Sequence, residues 1–249
     1  MLEADRHKLI LEALKEQNTI KIQDLIKLTN ASESTIRRDL TQLEKGKFLK
    51  RVHGGAARLQ GKLVEPTMDE KSSINTQTKR QIAQFASNLI EEGDCIYLDA
   101  GSTIFQMIDQ LPSNIVVVTN GLMHMNHLLE RNIETYLIGG FVKPTTKALI
   151  GRGAMESLEQ YRFDKSFIGV NGIHPQFGYT TPDPEEAMIK NLAISLSREA
   201  YVLADDSKFL ETAFAKISDI GAATILTNKL NTDTEEHFQN HTNIKVVTS

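Results

Sequence analysis

The sequence predicts two domains, a small winged helix-turn-helix followed by a larger α/β domain with a mostly parallel sheet. Three observations predict this order. Positive charge is in excess near the N-terminus, and a helix-turn-helix pattern there is followed by a basic hairpin. From Cys95 onward, apolar strands alternate with helices. With 249 residues, of which 40% are hydrophobic, the chain can bury a core in both domains. We expect the winged helix to span residues 1–58, a linker 59–75 and the α/β domain 76–249.

Composition excludes several classes of protein. No apolar run approaches the roughly 20 residues that cross a bilayer, and the first residues, Met1–Arg6, lack the basic-then-apolar order of a signal peptide. The single cysteine, Cys95, excludes an internal disulfide and a Cys-rich zinc site, and we expect it to pack in the core. A cytoplasmic protein with no membrane partner is therefore expected.

Charge is distributed unevenly along the chain. Residues 1–62 carry 13 Lys and Arg against 8 Asp and Glu, whereas the rest carries 15 against 24, so the overall net charge of −4 combines a basic head with an acidic body. Such asymmetry suits a polyanion-binding module. A solvated basic face would give the same counts, so the pattern of side chains has to decide between the two.

The first sixty residues contain three predicted helices. Apolar residues at helical spacing indicate a helix over about 3–16, and a short extended piece at 19–22 precedes a second helix over about 24–28. Ser32 is a good N-cap for a third helix, Glu33–Lys45, which ends near Gly46. Two helices joined by a tight polar turn over about 20–39 form a helix-turn-helix.

The third helix has one apolar face and one polar face. Ile36, Leu40 and Leu43 form a buried stripe at i, i+4 and i+7. The polar residues that face away from this stripe or flank it are Ser34, Thr35, Arg37, Arg38, Thr41, Gln42 and Lys45. Arg and Gln can bond base edges in a major groove, while Ser and Thr suit phosphates and thymine methyls. Structural helices also expose such side chains.

A basic hairpin follows this helix. Residues 48–58 alternate apolar and basic side chains around a pair of glycines, as two short antiparallel strands would. This pattern predicts the wing of a winged helix, with Lys50, Arg51 and His53 near the DNA backbone. Contacts to phosphates set affinity and position, while the helix reads bases.

In the larger domain, six short apolar runs are each followed by small polar residues or glycine. The runs are 95–98, 115–118, 136–138, 166–170, 201–203 and 224–226. Buried runs separated by helices predict a mostly parallel sheet, and ligands of such sheets bind at the carboxyl ends of the strands. Asp99-Ala100-Gly101-Ser102-Thr103 can cradle a phosphate at a helix start, although such a sequence is also an ordinary helix cap.

Other binding motifs are absent or incomplete. The chain has no Walker A motif, and Gly151-Arg152-Gly153 lacks the third glycine of a dinucleotide loop, which disfavours ATP and NAD. The pairs His124/His127 and His237/His241 have helical spacing, but neither has a neighbouring set of ligands that completes a tetrahedral metal site. We therefore expect neither a metal nor a cofactor.

The N-terminal residues resemble the DNA-binding signature of DeoR-type bacterial repressors. The resemblance rests on Thr35-Ile36-Arg37-Arg38-Asp39-Leu40 and Arg51-Val52-His53-Gly54-Gly55-Ala56, together with Arg6 and Ile20-x-Ile22-x-Asp24-Leu25. It implies a winged helix that binds double-stranded operator DNA through Ser34, Thr35, Arg37 and Arg38.

The resemblance continues into the larger domain. Motifs such as Asp99-x-Gly101-Ser102-Thr103, Thr119-Asn120, Gly139-Gly140 and Ala204-Asp205-x-Ser207-Lys208-Phe209 look like the DeoR effector domain, which is similar to ribose-5-phosphate isomerase. The resemblance implies a sensor of phosphorylated sugars. The predicted ligand-binding residues are Asp99, Gly101, Ser102, Thr103, Thr119, Asn120, Gly139, Gly140, Asn171, Glu185 and Lys208.

The segments 169–175 and 179–187 look most like the fructose-operon repressors of Gram-positive bacteria, whose inducer is fructose 1-phosphate. This likeness implies a repressor of a sugar operon that works as a homodimer or homotetramer and is relieved by that effector. An isomerase-type enzyme is the alternative. Ile168 and Asn171 stand where the isomerases have aspartates, although Glu185 or Glu186 and Lys208 still match, so the partial set favours a sensor. An activator is a second alternative, because the sequence does not encode the sign of regulation.

Overall fold

The computed structural model describes residues 2–17, 19–46, 48–52, 54–58, 65–230, 232–238 and 241–247. The chain divides into two compact units, unit 1 (1–61) and unit 2 (62–249). In the described residues, no helix is long and apolar enough to cross a membrane.

Unit 1 consists of three helices and a three-stranded antiparallel sheet with the strand order β1-β3-β2. Its elements in chain order are α1 (Glu3–Gln17), β1 (Thr19–Lys21), α2 (Ile22–Thr29), α3 (Glu33–Lys45), β2 (Leu49–Val52) and β3 (Gly55–Arg58). The predicted helix-turn-helix and hairpin are thus confirmed.

The turn and the wing of unit 1 follow from local chemistry. Asn30 takes the left-handed conformation (φ 52°) that ends α2, and the Ser32 side chain accepts a hydrogen bond from the backbone N–H of Thr35 to cap α3. A Cβ at Gly55 would lie 2.1 Å from the carbonyl oxygen of Ile20, so only glycine lets β3 pair this closely with β1. Behind α3 lies the core of unit 1, which includes Ile10, Leu14, Leu25, Ile36, Leu40 and Leu49.

Unit 2 begins with helices and continues as alternating strands and helices. Its helices are α4 (Met68–Ser73), α5 (Thr76–Ser87), α6 (Ser102–Phe105), α7 (His124–Glu130), α8 (Arg152–Leu158), α9 (Pro184–Ser195) and α10 (Thr232–Phe238). Its strands are β4 (Cys95–Leu98), β5 (Val116–Thr119), β6 (Glu134–Leu137), β7 (Phe141–Lys143), β8 (Ala148–Ile150), β9 (Phe163–Gly169), β10 (Gly172–His174), β11 (Gly178–Thr181), β12 (Ser197–Leu203), β13 (Ala215–Ser218), β14 (Thr224–Thr227) and β15 (Ile244–Val246).

Seven of these strands form one parallel sheet in the order β15-β14-β12-β9-β4-β5-β6. All six predicted apolar runs lie in it, which confirms the predicted α/β class. The chain proceeds to one side of β4 through β5 and β6 and returns to the other side through β9. The adjacent strands β4 and β9 therefore mark the point where the direction of winding reverses, and ligands of open α/β sheets bind there, outside the carboxyl ends of the strands.

The parallel sheet is buried on both faces. Alternate residues of its central strands enter two different clusters: Tyr97, Ile168 and Val202 join one, and Ile96, Phe167 and Tyr201 join the other. Helix α5 packs in the second cluster, and helices α8 and α9 pack in the first. The result is a three-layer arrangement of helices, sheet and helices.

Part of the predicted linker over 59–75 packs against the rest of unit 2. Residues 59–64 lie outside the described residues, but Met68 in α4 is buried, and its backbone N–H donates to the carbonyl oxygen of Thr145. Glu65 forms ion pairs with Lys71 and Lys143. The segment 65–73 is therefore part of the folded unit. Sequence periodicity missed α4 because it has only six residues and contributes a single buried apolar side chain.

Candidate functional site

In unit 1, helix α3 has one buried face and one exposed face. Ile36, Asp39, Leu40 and Leu43 are buried. The predicted DNA-binding residues on the other face are exposed or half-buried: Ser34, Arg37, Arg38, Gln42 and Lys45 are exposed, and Thr35 and Thr41 are half-buried. A donor-rich helix face of this kind, backed by an apolar core, has the chemistry to read a major groove.

Short hydrogen bonds order the start of this face. The Ser32 hydroxyl lies 2.9 Å from the Ser34 hydroxyl and 2.8 Å from that of Thr35. Arg37 donates to Glu33 over one helical turn, at 2.6 Å from Nη2 to Oε1, and both side chains are about half exposed. Because an exposed pair at this spacing contributes only about 0.3–0.5 kcal/mol, a phosphate can compete for Arg37.

The wing formed by β2 and β3 is held against α3 by Arg51. The backbone N–H of Arg51 donates to Glu44 Oε1 at 2.8 Å, and its guanidinium donates to the hydroxyl of Thr41 at 3.1 Å. Lys50 on the same strand is exposed. His53, the remaining predicted wing residue, lies outside the described residues. The wing thus presents basic side chains next to the exposed face of α3.

A buried carboxylate attaches α3 to α1. Asp39 accepts two hydrogen bonds from the Arg6 guanidinium, at 2.6 and 2.9 Å, and one of its oxygens lies 3.2 Å from Nε2 of His7. Burial alone would raise the pKa of Asp39, but the hydrogen bonds and charges of Arg6 and His7 outweigh it and lower that pKa. The acidic residue of the Arg-Arg-Asp motif therefore points inward and fixes the helix, while both arginines stay on the surface.

We expect Arg38→Ala to weaken binding to the natural operator by about 1–3 kcal/mol if the guanidinium bonds a base edge. Fluorescence anisotropy with operator and scrambled duplexes measures this loss. Arg152→Ala, which removes an exposed arginine of unit 2, is the matched control and leaves operator affinity unchanged. An equal loss on both duplexes would make Arg38 a phosphate contact instead.

In unit 2, Asp99 lies where β4 meets β9. Its carboxylate Oδ2 accepts from the backbone N–H of Gly169 at 2.9 Å and from the ammonium of Lys190 at 2.5 Å. Asp99 and Lys190 are buried, whereas Gly101 and Gly169 beside them are half-buried. The other carboxylate oxygen, Oδ1, is buried without a hydrogen-bond partner among the described residues. This edge of the sheet therefore holds a buried ion pair beside half-buried glycine backbone.

A second buried lysine reaches the predicted phosphate cradle. Lys79 in α5 donates to the hydroxyl of Ser102 at 3.0 Å and to the carbonyl oxygen of Lys71. Burial, together with the charges of Lys208 and Lys71, lowers the pKa of Lys79 to about 8, although the charge of Asp205 partly offsets this effect. Lys79 thus brings positive charge to Ser102, as a phosphate site requires, and Lys208 is close enough to interact with the charge of Lys79.

Asp205 balances these two cations. It is buried after β12, and it accepts hydrogen bonds from the backbone and the hydroxyl of Ser207. Burial would raise the pKa of Asp205, but the charge of Lys208 and the bonds from Ser207 and Asn75 lower it. The set contains two cations and one anion, so its net charge is positive, which suits an anionic ligand.

Two of the predicted ligand contacts have structural roles. The Thr119 hydroxyl donates to the carbonyl oxygen of Leu98 and is bonded to Gly121 N–H and to His124 Nδ1, which uses all its hydrogen-bonding capacity. The ligand contact expected of Thr119 stays a prediction. Asn120 accepts from the backbone N–H of Ala100 at 2.9 Å through its side chain, so it shapes the loop that carries Gly101.

The other predicted ligand residues are spread along the same edge. Thr103 is buried, while Gly139 and Gly140 are exposed after β6; a Cβ at Gly140 would lie 2.6 Å from the carbonyl oxygen of Ile150. Asn171 is half-buried, and its side chain accepts from the Thr181 hydroxyl. Glu185 is exposed at the start of α9, whereas Glu186 is buried and bonded to Lys143 and Thr146.

Sequence reasoning missed Lys79 and Lys190, although a signal for both was present. Lys79 precedes Ile82, Ala83 and Ala86 by three, four and seven residues, so it lies on the buried face of α5. Lys190 likewise lies on the buried face of α9, four residues after Glu186. A lysine on an apolar stripe is rarely buried without a function or a partner.

The histidine pairs do not form a metal site. Across the described residues, no group of three or more His, Cys, Asp and Glu side chains is arranged to hold a metal ion. His124 is fully buried against Thr119, and burial lowers its pKa to about 4, so its ring is neutral at pH 7.

Comparison with known proteins identifies the class that these two sites define. Residues 6–62 match the DeoR-like helix-turn-helix domain, and residues 74–233 match the DeoR C terminal sensor domain. The chain belongs to the DeoR family of helix-turn-helix transcriptional regulators and is not an enzyme.

Two curated relatives match this chain over nearly its whole length. The chain is 53% identical over 249 residues to the uncharacterized HTH-type transcriptional regulator FruR of Bacillus subtilis, with 99% of both proteins covered. It is 29% identical to the lactose phosphotransferase system repressor of Staphylococcus epidermidis, with 96% of this chain and 98% of that protein covered. Among solved structures, ribose 5-phosphate isomerase A of Methanocaldococcus jannaschii matches with a TM-score of 0.40 and 17% identity over 55% of each chain.

Proposed function

We propose that this protein represses a sugar-utilisation operon by binding double-stranded operator DNA through α3 and the wing, and that a phosphorylated sugar relieves the repression. The exposed arginines 37 and 38 and the basic wing support the DNA-binding part. Phosphate contacts from the wing would supply affinity, and the exposed face of α3 would read the sequence. The boundaries at 58 and 76 stay predictions, and residues 65–73 already pack against the effector domain ahead of position 76.

One observation carries the effector part: the buried ammonium of Lys79 lies 3.0 Å from the Ser102 hydroxyl at the carboxyl edge of the parallel sheet. A buried cation beside hydroxyl and glycine groups suits a phosphate better than a neutral sugar. Gly101, Ser102, Thr103 and Lys208 complete the phosphate subsite in this proposal. The other predicted residues contact the sugar or shape the loops around it in this proposal: Asp99, Gly139, Gly140, Asn120, Asn171 and Glu185.

Fructose 1-phosphate is the first candidate effector. The Bacillus relative carries the name FruR, and the Staphylococcus relative is named as repressor of a phosphotransferase system. A system that phosphorylates its sugar supplies a phosphorylated molecule as the natural signal of that sugar. The sequence likeness of residues 169–187 to fructose-operon repressors supports the same choice.

Regulation requires more than one copy of the chain in this proposal. A homodimer or homotetramer would place two winged helices on paired half-sites, and their combined binding would exceed the affinity of one module. The effector would bind one arrangement of the assembly better than the other and so shift the population away from DNA-binding geometry. An activator would use the same sites, and a reporter assay in a deletion strain distinguishes the two.

The test is a titration of sugar phosphates into the complex of protein and promoter DNA, followed by anisotropy. We expect fructose 1-phosphate to release the DNA at lower concentration than fructose 6-phosphate, and free fructose to have no effect, because only the phosphate reaches Lys79. Release by free fructose at the same concentration would contradict a phosphate site. Indifference to every sugar phosphate would contradict the effector part of the proposal.

A further inference from the structure

An ion network in unit 2 surrounds Glu65, the first described residue after strand β3 of unit 1. The Glu65 carboxylate accepts from the ammonium of Lys71 at 2.6 Å and is also bonded to the ammonium of Lys143. Its side chain is only 6% exposed. Burial alone would raise the pKa of Glu65, but the two lysines lower it, so the carboxylate is charged at pH 7. Two ion pairs therefore hold Glu65 near the start of unit 2.

Lys71 and Lys143 are each linked to residues of the proposed effector site. On one side, the carbonyl oxygen of Lys71 accepts from Lys79, whose ammonium also donates to Ser102 of the proposed phosphate subsite. Lys71 and Lys79 therefore link Glu65 to that subsite through three hydrogen bonds.

On the other side, Lys143 bridges Glu65 to α9. Its ammonium lies 2.8 Å from Asp183 and 3.0 Å from Glu186. One turn later on the same helix, Lys190 forms the ion pair with Asp99. Ser102 and Asp99, two residues of the proposed effector site, are thus both linked to the same carboxylate.

We propose that Glu65 couples the effector site to operator binding: when the effector engages Lys79, the two lysines that hold Glu65 are rearranged, and the affinity for operator DNA changes. This inference rests on the proposed function, because it needs an effector in the crevice. Coupling of this kind requires a contiguous set of contacts with two arrangements, and the Glu65 network supplies the contacts. The coupling factor is the ratio of operator Kd with saturating effector to operator Kd without it.

The test compares Glu65→Gln with wild type in the full-length protein. Gln keeps the size of the side chain but removes the charge that holds two lysines. We expect calorimetry to show a fructose 1-phosphate Kd within about threefold of wild type, and anisotropy to show a coupling factor at least about fivefold smaller. Glu156→Gln, which breaks only an exposed pair with Arg152, is the matched control and keeps the wild-type factor.

A second variant, Lys143→Met, removes the cation shared by Glu65, Asp183 and Glu186 and is expected to reduce the coupling factor in the same way. Retention of effector binding in either variant shows that unit 2 is folded. A wild-type coupling factor in both variants overturns the role of Glu65. Loss of effector binding in both overturns it too, because Glu65 would then act on the site itself. A wild-type protein that binds operator but ignores the effector contradicts the proposed function instead.

Discussion

Lys79→Met is expected to weaken fructose 1-phosphate binding by about 10- to 100-fold while leaving operator affinity without effector unchanged. The variant removes a charged donor from the proposed phosphate subsite, and a hydrogen bond to a charged group contributes about 1.5–3 kcal/mol. We do not expect the variant to unfold, because burying the charged form of Lys79 is unfavourable in the folded protein. Burial is the main reason that its pKa is lowered to about 8. Calorimetry measures the effector Kd, and a thermal scan is expected to show no large fall in Tm.

The pH dependence gives a second readout for the same residue. As pH rises through about 8, free Lys79 loses its proton, and binding a phosphate then requires that proton to be taken up again. Effector affinity of the wild type should therefore fall above pH 8, and the fall should be absent in Lys79→Met. Lys216→Met, which removes an exposed lysine of unit 2, keeps wild-type affinity and wild-type pH dependence. Equal affinities for Lys79→Met and wild type would place the phosphate elsewhere.

The parts of the fold that sequence predicted are those set by local chemistry. Helix α3 has the predicted bounds Glu33–Lys45 because Ser32 caps it, Gly46 follows it and its apolar stripe has helical spacing. The six apolar runs form parallel strands because a sheet covered on both faces needs continuous apolar residues. Strands β7, β8, β10, β11, β13 and β15 were not predicted. All of them are short, and each except β8 contains a charged residue or a glycine, which interrupts the apolar run by which β4 and β5 were recognised.

The site was predictable only where its residues are neighbours in sequence. Asp99 and the run Gly101–Thr103 were found because they follow one strand. Lys190 and Asp99 are 91 positions apart, and Lys79 and Ser102 are 23 apart, so only the three-dimensional fold brings them together. Thr119 shows the converse limit: its place after a strand suggested a ligand contact, but the neighbouring His124 and Gly121 use its hydroxyl.

Asp39→Asn is expected to destabilise unit 1 and thereby to weaken operator binding, although Asp39 faces away from the proposed DNA surface. The carboxylate is 1% exposed and is held by both Arg6 and His7. Removing its charge leaves Arg6 and His7 beside a neutral amide, and breaking a buried pair on one side costs more than the pair contributes. A fall in Tm of roughly 5–10 °C is expected for a domain of this size.

Hydrogen exchange on the full-length protein separates this effect from a change in unit 2. Amides of α1 and α3 should exchange faster in Asp39→Asn, while those of β4 and β9 keep their rates, and fructose 1-phosphate affinity stays at the wild-type value. Asp24→Asn, the same substitution at a half-exposed position of unit 1, is the control and leaves exchange unchanged. The pKa of Asp39 is lower in the folded protein than in the unfolded chain. The stability that the Asp39 carboxylate contributes is therefore complete above its unfolded pKa of about 3.9, and it is lost as pH falls through its folded pKa. As Asp39 becomes protonated in acid, the amides of α3 in the wild type should exchange faster, and Asp39→Asn should lack this acid-dependent step. If the amides of α3 exchange at the same rate in the variant as in the wild type, the apolar core alone orients the helix.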